Sequence, residues 1–403
     1  MCRELEGVRV VSLAVSYPGP LAGMMLSDLG ADVVVVEGPH TPDPARMLPA
    51  FHEALNRGKR SVALDLKHAG ARDAFYALAD SADVVLEGFR PGVAARLGVD
   101  HQTLRARNPK LVYVSISAYG QDGPLATAPA HDLNLQAESG MLDSVELDAD
   151  ATYIPGPAVE FADIAAGMTA VQGVLLGLLC AERTGLGSFT DVSMFASLVS
   201  TLAGHISPAA SGSGPPGVQY ETGYGLFATA DAKLLGLGIA GEDHFWRSLC
   251  DVIGLSEVRG LGASERLSRP EVARDSLAAR IATRSRDEWL GLLQGAAVPC
   301  SAVRSLGEVA SHPQAVHRKL LHEVSDEHGS HLYVRQPLVI DGEAPGPTTR
   351  APRLGEHTEE VLTSCGIAAS VVRDLVTAGA AVCTVEEHPA GVLESKLAGG
   401  TSA

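Results

Sequence analysis

One strand–helix–strand pattern near the start of the chain constrains the fold more than any other feature of the sequence. Residues 8–13 and 33–37 are apolar runs with the length of buried strands, and a helical pattern covers 21–29 between them. Such a unit places its two strands parallel, with the helix crossing over one face of the sheet. Further strand patterns occur at 61–66, 83–87 and 111–116. The sequence therefore predicts an α/β fold built on a parallel sheet.

The turn after the first strand argues against a dinucleotide cofactor. Glu37 ends the second strand, at the place where a dinucleotide-binding fold carries its ribose ligand. The turn itself, however, reads SYPGPLAG and lacks the GxGxxG pattern that lets a backbone approach a pyrophosphate. We therefore expect no NAD site in this turn.

The length of the chain and a change of composition after Ser197 predict two domains. A chain of 403 residues is longer than one ordinary hydrophobic core requires. Residues 207–217 read SPAASGSGPPG, which is typical of a linker or mobile loop. Hairpin and helix patterns follow between 224 and 253 and indicate a smaller α+β domain. The predicted segments are 1–197 as the first part of a large domain, 198–221 as a linker, 222–322 as the small domain, and 323–403 as a return linker and the C-terminal part of the large domain.

Charge and cysteine content argue against several classes of protein. The formal net charge of −17 disfavours binding to nucleic acid or to an anionic membrane surface. Six cysteines occur without a CxxC pair or a histidine at ligand spacing, so we expect reduced thiols, with neither disulfides nor a metal site. The sequence shows neither a signal-peptide pattern nor an uninterrupted apolar run of ~18 residues, which predicts no membrane span and a cytoplasmic location.

The stretch around Asp163 is the strongest candidate for a functional site. Apolar residues recur at helical spacing from Ile164 onward, and Arg183 followed by Gly185 ends the pattern. Asp163 is therefore predicted at or just before a helix N-terminus, where aspartate is a favoured cap and its anion is stabilised. A helix cap is the ordinary interpretation of such a residue, and composition alone does not distinguish it from a catalytic carboxylate.

Several long motifs, in order along nearly the whole chain, resemble those of one enzyme family. They include GVRVVSLAVSYPGPLAGMMLSDLGADVVVVEGP, NRGKRSVALDLK, DVVLEGFRPGVAARLG, NPKLVYVSISAYGQDGP, ERTGLGSFTDVSM, VPCSAVRSLGEVASHPQ and APRLGEHTEEVL. These segments are similar to the family III CoA-transferases, a group that also holds the α-methylacyl-CoA racemases. The resemblance implies a Rossmann-like large domain, an interlocked homodimer and a catalytic aspartate at Asp163. It also implies acyl-CoA and a carboxylic acid as substrates, with no covalently bound cofactor.

Local charge and the same resemblance indicate where coenzyme A binds. Arg57, Lys59 and Arg60 form a basic turn before a strand, and cations there would pair with a phosphate. Arg90 precedes a proline and a glycine that open a helix, and helix N-termini attract anions. We expect Arg90 and the basic turn to line one positive groove. The remaining CoA-binding residues that the resemblance implies are Ser16, Tyr17, Pro18 and Ala130.

Two reactions remain open for such a site. In a CoA-transferase the carboxylate of Asp163 attacks the thioester, and a helix N-terminus keeps it ionised and donates amides to the oxyanion. In a racemase of 2-substituted acyl-CoAs, His131 and Asp163 move the α-proton through an enolate, and the resemblance implies a functional glutamate at Glu242. A non-enzymatic CoA-binding protein is disfavoured by the intact Asp163. The wider motif match favours the transferase, although SGSG at 211–214 is a poor match to the glycine-rich flap of that branch.

Overall fold

Valine-rich runs form the first strands, as the sequence predicts. The computed structural model describes residues 4–143, 153–213, 221–327 and 329–383. The strands are β1 (Arg9–Leu13), β2 (Asp32–Glu37), β3 (Arg60–Leu64), β4 (Val84–Glu87), β5 (Val112–Ser117), β6 (Phe189–Ser193), β7 (Tyr224–Ala228), β8 (Leu234–Gly238), β9 (Cys300–Ala302), β10 (Leu321–Asp326), β11 (Gly329–Val334) and β12 (Ala381–Val382).

Helices follow most of these strands. They are α1 (Pro18–Asp28), α2 (Pro49–Asn56), α3 (Ala69–Asp80), α4 (Val93–Leu97), α5 (His101–Arg107), α6 (Asp132–Glu138), α7 (Phe161–Thr184), α8 (Met194–Thr201), α9 (Ala203–Ala210), α10 (Asp243–Ile253), α11 (Ala263–Ser268), α12 (Glu271–Ile281), α13 (Arg286–Gly295), α14 (Leu306–Val309), α15 (Pro313–His317), α16 (Thr358–Ser364) and α17 (Ala369–Thr377). One unit of the fold comprises Met1–Leu202 and Arg318–Ala403, and a smaller unit comprises Ala203–His317.

Seven strands form one sheet in the larger unit, in the order β12-β3-β2-β1-β4-β5-β6. Each neighbouring pair from β3 to β6 is parallel, and the short β12 pairs antiparallel with β3. The order 3-2-1-4-5-6 is that of a doubly wound, Rossmann-like sheet, and it reverses direction between β1 and β4. The predicted α/β fold with a parallel sheet is confirmed.

Both faces of the sheet are covered, which explains why its strands are continuous apolar runs. Val11 and Val34 point to one face and pack in a core with α3, α16 and α17. Val10 and Val33 point to the other face and pack in a second core with α1 and α7. Because successive side chains of a strand alternate between faces, each strand contributes to both cores.

Helix α7 packs tightly through a face of very small residues. A Cβ atom at Gly177 would lie 2.4 Å from Cγ1 of Val112 on β5. A Cβ atom at Gly167 would lie 2.9 Å from Leu21 and 3.0 Å from the carbonyl oxygen of Pro18, both on α1. Glycine thus allows α7 to approach β5 and α1 at backbone distance. The opposite face of the helix leaves large apolar side chains exposed, namely Met168, Leu175, Leu176 and Leu179.

By length and composition, α7 is also the single helix among the described residues that could cross a membrane. A core helix of a soluble protein passes the same test. The packing of α7 against α1, β5 and β6 explains much of its apolar composition. Its composition alone is therefore weak support for a membrane span.

Two local predictions differ from the structure. The predicted linker at 198–221 contains the end of α8 and all of α9, while its residues 214–220 lie outside the described chain. The helix expected to open at Pro91 begins instead at Val93, because Gly92 adopts a left-handed φ of 82° just before it. Helix α4 then has only 5 residues, so its N-terminus provides no substantial anion site.

The smaller unit has its own α+β core. Strands β7, β8 and β9 form an antiparallel sheet, with β7 and β8 joined around Ala230 and Asp231. Trp246 of α10 and Trp289 of α13 are buried in a core that also includes residues of this sheet. The hairpin and the helix that the sequence predicts between 224 and 253 are both confirmed.

Candidate active site

A pocket of about 390 Å³ lies where β1, β4 and β5 end. The strand order reverses at this point, and doubly wound sheets bind their ligands in the crevice formed there. The loops after β1 and β4 contribute Ser16 and Arg90 to its walls, and residues within 126–132 form another side. Glu160 and Asp163 enter from the start of α7. The sheet topology thus brings together residues that are far apart in the sequence.

Asp163 is the third residue of α7, and its half-buried carboxyl group lines this pocket. Burial raises the pKa of Asp163 to about 7, with further contributions from the negative charges of Asp132 and Glu160. Within the described part of the chain, no hydrogen bond engages this carboxyl group. It is therefore available to a ligand.

The carboxylate that caps α7 belongs to Asp132. Its Oδ1 accepts hydrogen bonds from the backbone N–H groups of Ala162 at 2.7 Å and of Asp163 at 3.2 Å. The side chain of Gln136 donates to the other oxygen of Asp132 and, at 3.0 Å, to the carbonyl oxygen of Val159. Asp132 is thus held in place by its own helix α6 while it closes the start of α7.

This arrangement differs from three expectations about Asp163 and the start of α7. It is not a helix cap, because it lies inside the first turn and contributes no side-chain hydrogen bond to the helix end. The helix N-terminus does not keep it ionised at low pH either, because burial and two neighbouring acids outweigh the helix dipole. The amides of Ala162 and Asp163 already donate to Asp132, so they do not serve an oxyanion in this arrangement.

Five further residues singled out from the sequence lie in the lining of the same pocket, namely Ser16, Pro18, Arg90, Ala130 and His131. Arg90 is exposed, and its guanidinium makes no hydrogen bond or ion pair with the described residues. His131 directly precedes α6, and its backbone N–H donates to Oδ1 of Asn134 at 3.0 Å. Arg90 is therefore a cation that an anionic ligand in this pocket can reach.

Tyr17 lies beside the lining. Its ring packs edge-on against Phe51, with the ring centroids 5.1 Å apart. Burial raises the pKa of Tyr17, and the charges of Glu160, Asp163 and Asp132 raise it further. Its phenol group therefore stays neutral next to the acidic side of the pocket.

The basic turn before β3 is engaged within the protein and does not form a groove with Arg90. Arg57 is buried and pairs with Asp28 at 2.7 Å. Lys59 is also buried, and its Nζ donates to the carbonyl oxygen of Pro20 and to Asn56 Oδ1, both at 2.8 Å. Burial lowers the pKa of Lys59 to about 7.

The third cation of this turn, Arg60, donates to Asp32 from its Nε at 2.9 Å and also pairs with Glu360. None of the residues Arg57, Lys59 and Arg60 belongs to the pocket lining. These partners inside the larger unit disfavour a role of the three cations in binding coenzyme A, and that role stays a prediction.

Glu242 lies in the smaller unit. It is the exposed residue before α10, and its Oε2 accepts a hydrogen bond from the backbone N–H of Ala240 at 2.7 Å. The pocket described above is lined by residues of the larger unit. A functional role for Glu242 therefore stays a prediction.

The sequence analysis missed a buried acid that directly precedes residues of the pocket lining. Glu87 is the last residue of β4, and burial raises its pKa to about 7. It accepts a hydrogen bond from Ser115 Oγ at 2.7 Å and another from the backbone N–H of Phe89. Glu87 thus holds the start of the loop that carries Arg90. The one feature of the sequence that could have indicated this buried acid is the position of Glu87 at the end of an apolar strand.

Comparison with known proteins agrees with this geometry. Residues 5–358 match the family model of CoA-transferase family III. An acetyl-CoA:oxalate CoA-transferase from Acetobacter aceti is 31% identical over 370 residues, which cover 87% of this chain and 93% of that protein. An α-methylacyl-CoA racemase from Mus musculus is 31% identical over 380 residues, with 92% and 96% covered. The crystal structure of a CAIB/BAIF family protein from Brucella suis matches with a TM-score of 0.79 at 27% identity, covering 91% of this chain and 100% of that one.

Proposed function

Because this chain belongs to CoA-transferase family III, we propose that it moves coenzyme A from an acyl-CoA thioester to a free carboxylic acid through covalent intermediates on Asp163. The observation that supports this proposal is the position of the Asp163 carboxyl group. It lines the pocket at the reversal point of the sheet, with no competing hydrogen bond from the described residues. A pocket at this place in the fold is where a nucleotide-bearing ligand is expected.

The reaction consists of carboxylate attacks and thiolate attacks. An oxygen of Asp163 attacks the thioester carbon, the C–S bond breaks, and the product is a mixed anhydride and CoA thiolate. The thiolate then attacks the aspartyl carbonyl, which releases the first carboxylic acid and leaves Asp163 as a CoA thioester. The acceptor carboxylate attacks the carbonyl carbon of this thioester, the C–S bond breaks, and a second anhydride and CoA thiolate form. The thiolate then attacks the acyl carbon that came from the acceptor. Asp163 is restored as the new acyl-CoA departs.

The electrostatics of the site support this role. A carboxyl group whose pKa is about 7 forms a more basic carboxylate than an ordinary aspartate, and a more basic oxygen is a stronger nucleophile. Arg90 contributes a planar cation on the pocket wall that suits a phosphate of coenzyme A. Ser16, Pro18 and Ala130 complete the surface proposed to contact the same ligand.

The proposed acceptor is a carboxylic acid, and a series of acids can establish which one the enzyme prefers. Oxalate, which the Acetobacter aceti relative uses according to its name, is one candidate. A series of mono- and dicarboxylic acids of increasing length, each with acetyl-CoA as donor, would identify the preferred class.

Hydroxylamine trapping tests the covalent route directly. Enzyme treated with acyl-CoA and hydroxylamine should carry a hydroxamate at Asp163, which peptide mass spectrometry detects. Asp163→Asn should give no adduct and no transfer, because an amide is not a nucleophile of this kind, yet it should still bind coenzyme A. An active enzyme without any adduct at Asp163 would contradict the proposal.

A racemase is the second candidate, and the shared pocket of His131 and Asp163 favours it. Two acid/base groups in one pocket are the arrangement that removal and return of an α-proton requires. Incubation of a 2-methylacyl-CoA in D2O without an acceptor acid separates the two reactions. Deuterium at the α-carbon identifies the racemase, whereas acyl exchange that occurs only with added carboxylate identifies the transferase.

His131→Ala gives an independent comparison of the two reactions. Loss of a positioned proton-transfer group costs about 10²–10⁴-fold in rate, so a racemase would lose nearly all activity. A transferase, in which His131 only lines the pocket, should lose far less.

A further inference from the structure

Ser16 lines the pocket in a backbone conformation that serine rarely adopts. Its φ is 71°, in the left-handed region where a residue with a Cβ atom is strained. The turn directs the chain from the end of β1 into α1, so that Ser16 and Pro18 both line the pocket. A strained residue keeps such a conformation only where surrounding contacts hold it.

Asp43 supplies such a contact from outside the pocket. Its Oδ1 accepts hydrogen bonds from the backbone N–H groups of Ser16 at 2.9 Å and of Ala45 at 2.8 Å. Asp43 is only 3% exposed and is absent from the pocket lining. Its own N–H donates to Glu37 Oε1 at 3.0 Å, and Arg46 binds both carboxylate oxygens of Glu37. Asp43 is thus fixed to the end of β2.

We propose that Asp43 is a positioning residue that holds Ser16 in its left-handed turn and thereby shapes the CoA-binding wall of the pocket. The inference rests on the proposed function, since coenzyme A is taken as the ligand of that wall. The connection runs from Arg46 and Glu37 through Asp43 to the amide of Ser16. Glu37 and Asp43 are buried and Arg46 is partly buried, whereas Ser16 is exposed. Without the bond from Asp43, Ser16 is free to relax to a negative φ and to move the wall.

Two substitutions at Asp43 test whether its acceptor oxygen is the feature that matters. Asp43→Ala removes the acceptor, so the dissociation constant of coenzyme A and KM for acyl-CoA should rise about ten-fold or more, the effect of losing a hydrogen bond to a charged group. Asp43→Asn keeps an acceptor oxygen at the position of Oδ1, which accepts both backbone hydrogen bonds. This variant should therefore retain most of the affinity for coenzyme A. If Asp43→Asn binds as weakly as Asp43→Ala, or if Asp43→Ala binds like the wild type, the proposal is wrong.

A double substitution tests the link to Ser16. Glycine adopts positive φ without strain, so Ser16→Gly reduces the need for the hydrogen bond. Adding Asp43→Ala to Ser16→Gly should therefore weaken CoA binding less than Asp43→Ala does in the presence of Ser16. Equal losses in both backgrounds would show that Asp43 acts independently of Ser16 and would overturn the inference.

A matched control distinguishes positioning from general stability. Asp100 Oδ1 likewise accepts two backbone hydrogen bonds, from Gln102 at 2.9 Å and Thr103 at 3.0 Å, and lies outside the pocket lining. Asp100→Ala should lower the melting temperature without changing KM for acyl-CoA, since loss of folded protein lowers the apparent kcat and leaves KM unchanged. A KM increase as large as that of Asp43→Ala would count against a specific role of Asp43.

Amide hydrogen exchange makes the test independent of coenzyme A. In peptides that contain Ser16, exchange at this amide should be faster in Asp43→Ala than in the wild type and slow again in Asp43→Asn. Unchanged exchange would refute the positioning role whether or not the protein binds coenzyme A. Failure of the wild-type enzyme to bind coenzyme A would refute the proposed function instead, and the exchange result would still decide whether Asp43 holds Ser16.

Discussion

At the scale of single residues, burial and two neighbouring acidic side chains set the pKa of Asp163. Burial is the largest cause of its raised pKa, and Asp132 and Glu160 add unfavourable negative charge. Asp132 cannot move away easily, because it also caps α7 through two backbone hydrogen bonds. The cap that orders the helix therefore also contributes to the basicity of the proposed nucleophile.

This electrostatic arrangement predicts how activity depends on pH. With Asp163 carboxylate as the nucleophile, kcat/KM should rise with pH through a midpoint of about 7. Glu160→Gln removes a charge that raises this pKa, so the midpoint should move to lower pH. Glu182→Gln removes a charge near the other end of α7 and should leave the midpoint in place. A pH–rate profile that is flat across neutral pH would contradict the role of Asp163.

Arg90 is the residue whose loss should affect the ligand most directly. Arg90→Ala should weaken CoA binding by roughly 1.5–3 kcal/mol, the range for losing a hydrogen bond to a charged group. Arg96→Ala, on the exposed surface of α4 and outside the pocket lining, removes the same charge and should have little effect. Isothermal titration of both variants with coenzyme A makes the comparison. Equal affinities for the wild type and Arg90→Ala would remove Arg90 from the site.

The sequence predicted Asp163 and Arg90 as site residues by resemblance, and both lie in the pocket lining. It could not predict which charged residues pair with one another inside the fold. Arg57 pairs with Asp28, which precedes it by 29 residues. Asp132 caps a helix that begins about 30 residues later in the chain, as its bond to Ala162 shows. Such pairs depend on the packing of separate elements, and no local pattern of residues records them.

At the scale of elements, α7 shows that helical periodicity locates a helix better than it locates its buried face. The apolar positions that predicted the helix include Leu175 and Leu179, which are 41% and 42% exposed. The buried face instead uses small residues such as Gly167 and Gly177, because α1 and β5 approach it closely. Small side chains carry little hydrophobic signal, so the sequence pattern underestimates their importance for packing.

Gly167 tests this close packing and its connection to the site. In Gly167→Ala the new methyl group would contact Leu21 and the Pro18 carbonyl oxygen, which should destabilise the larger unit by about 1–3 kcal/mol. Asp163 lies one turn before Gly167, so kcat should fall as its carboxyl group is displaced. Gly291→Ala in α13 meets nothing within 4 Å and should instead stabilise its helix by about 0.5–1 kcal/mol. Chemical denaturation measures the free energy of unfolding of both variants. Equal values for the wild type and Gly167→Ala would contradict the packing argument.

At the scale of the whole molecule, the sheet was predictable from the sequence because its strands are buried on both faces. Continuous valine runs mark β1 and β2, and the short connections between strands and helices fix a parallel order. Strand β12 was not predictable, since its two residues, Ala381 and Val382, form a strand only by pairing with β3. The homodimer expected from the family resemblance stays a prediction.

The exposed face of α7 provides a place to test that dimer. Leu176 is 67% exposed in the single chain and belongs to the apolar row with Met168, Leu175 and Leu179. If a second copy covers this row, Leu176→Glu should shift the protein from dimer to monomer at micromolar concentration, because the interface would then bury an unpaired charge. Light scattering measures the mass of each variant.

Leu306 is the matched control, since it is 93% exposed in the smaller unit. Leu306→Glu introduces the same charge away from α7 and should leave the dimer intact. Two results would count against the prediction. A wild-type protein that is monomeric at micromolar concentration would show that no stable dimer forms, and a Leu176→Glu variant that stays dimeric would show that α7 lies outside the interface. A monomeric protein rarely exposes so many large apolar side chains on one helix. The mass of the wild-type protein should therefore be measured first.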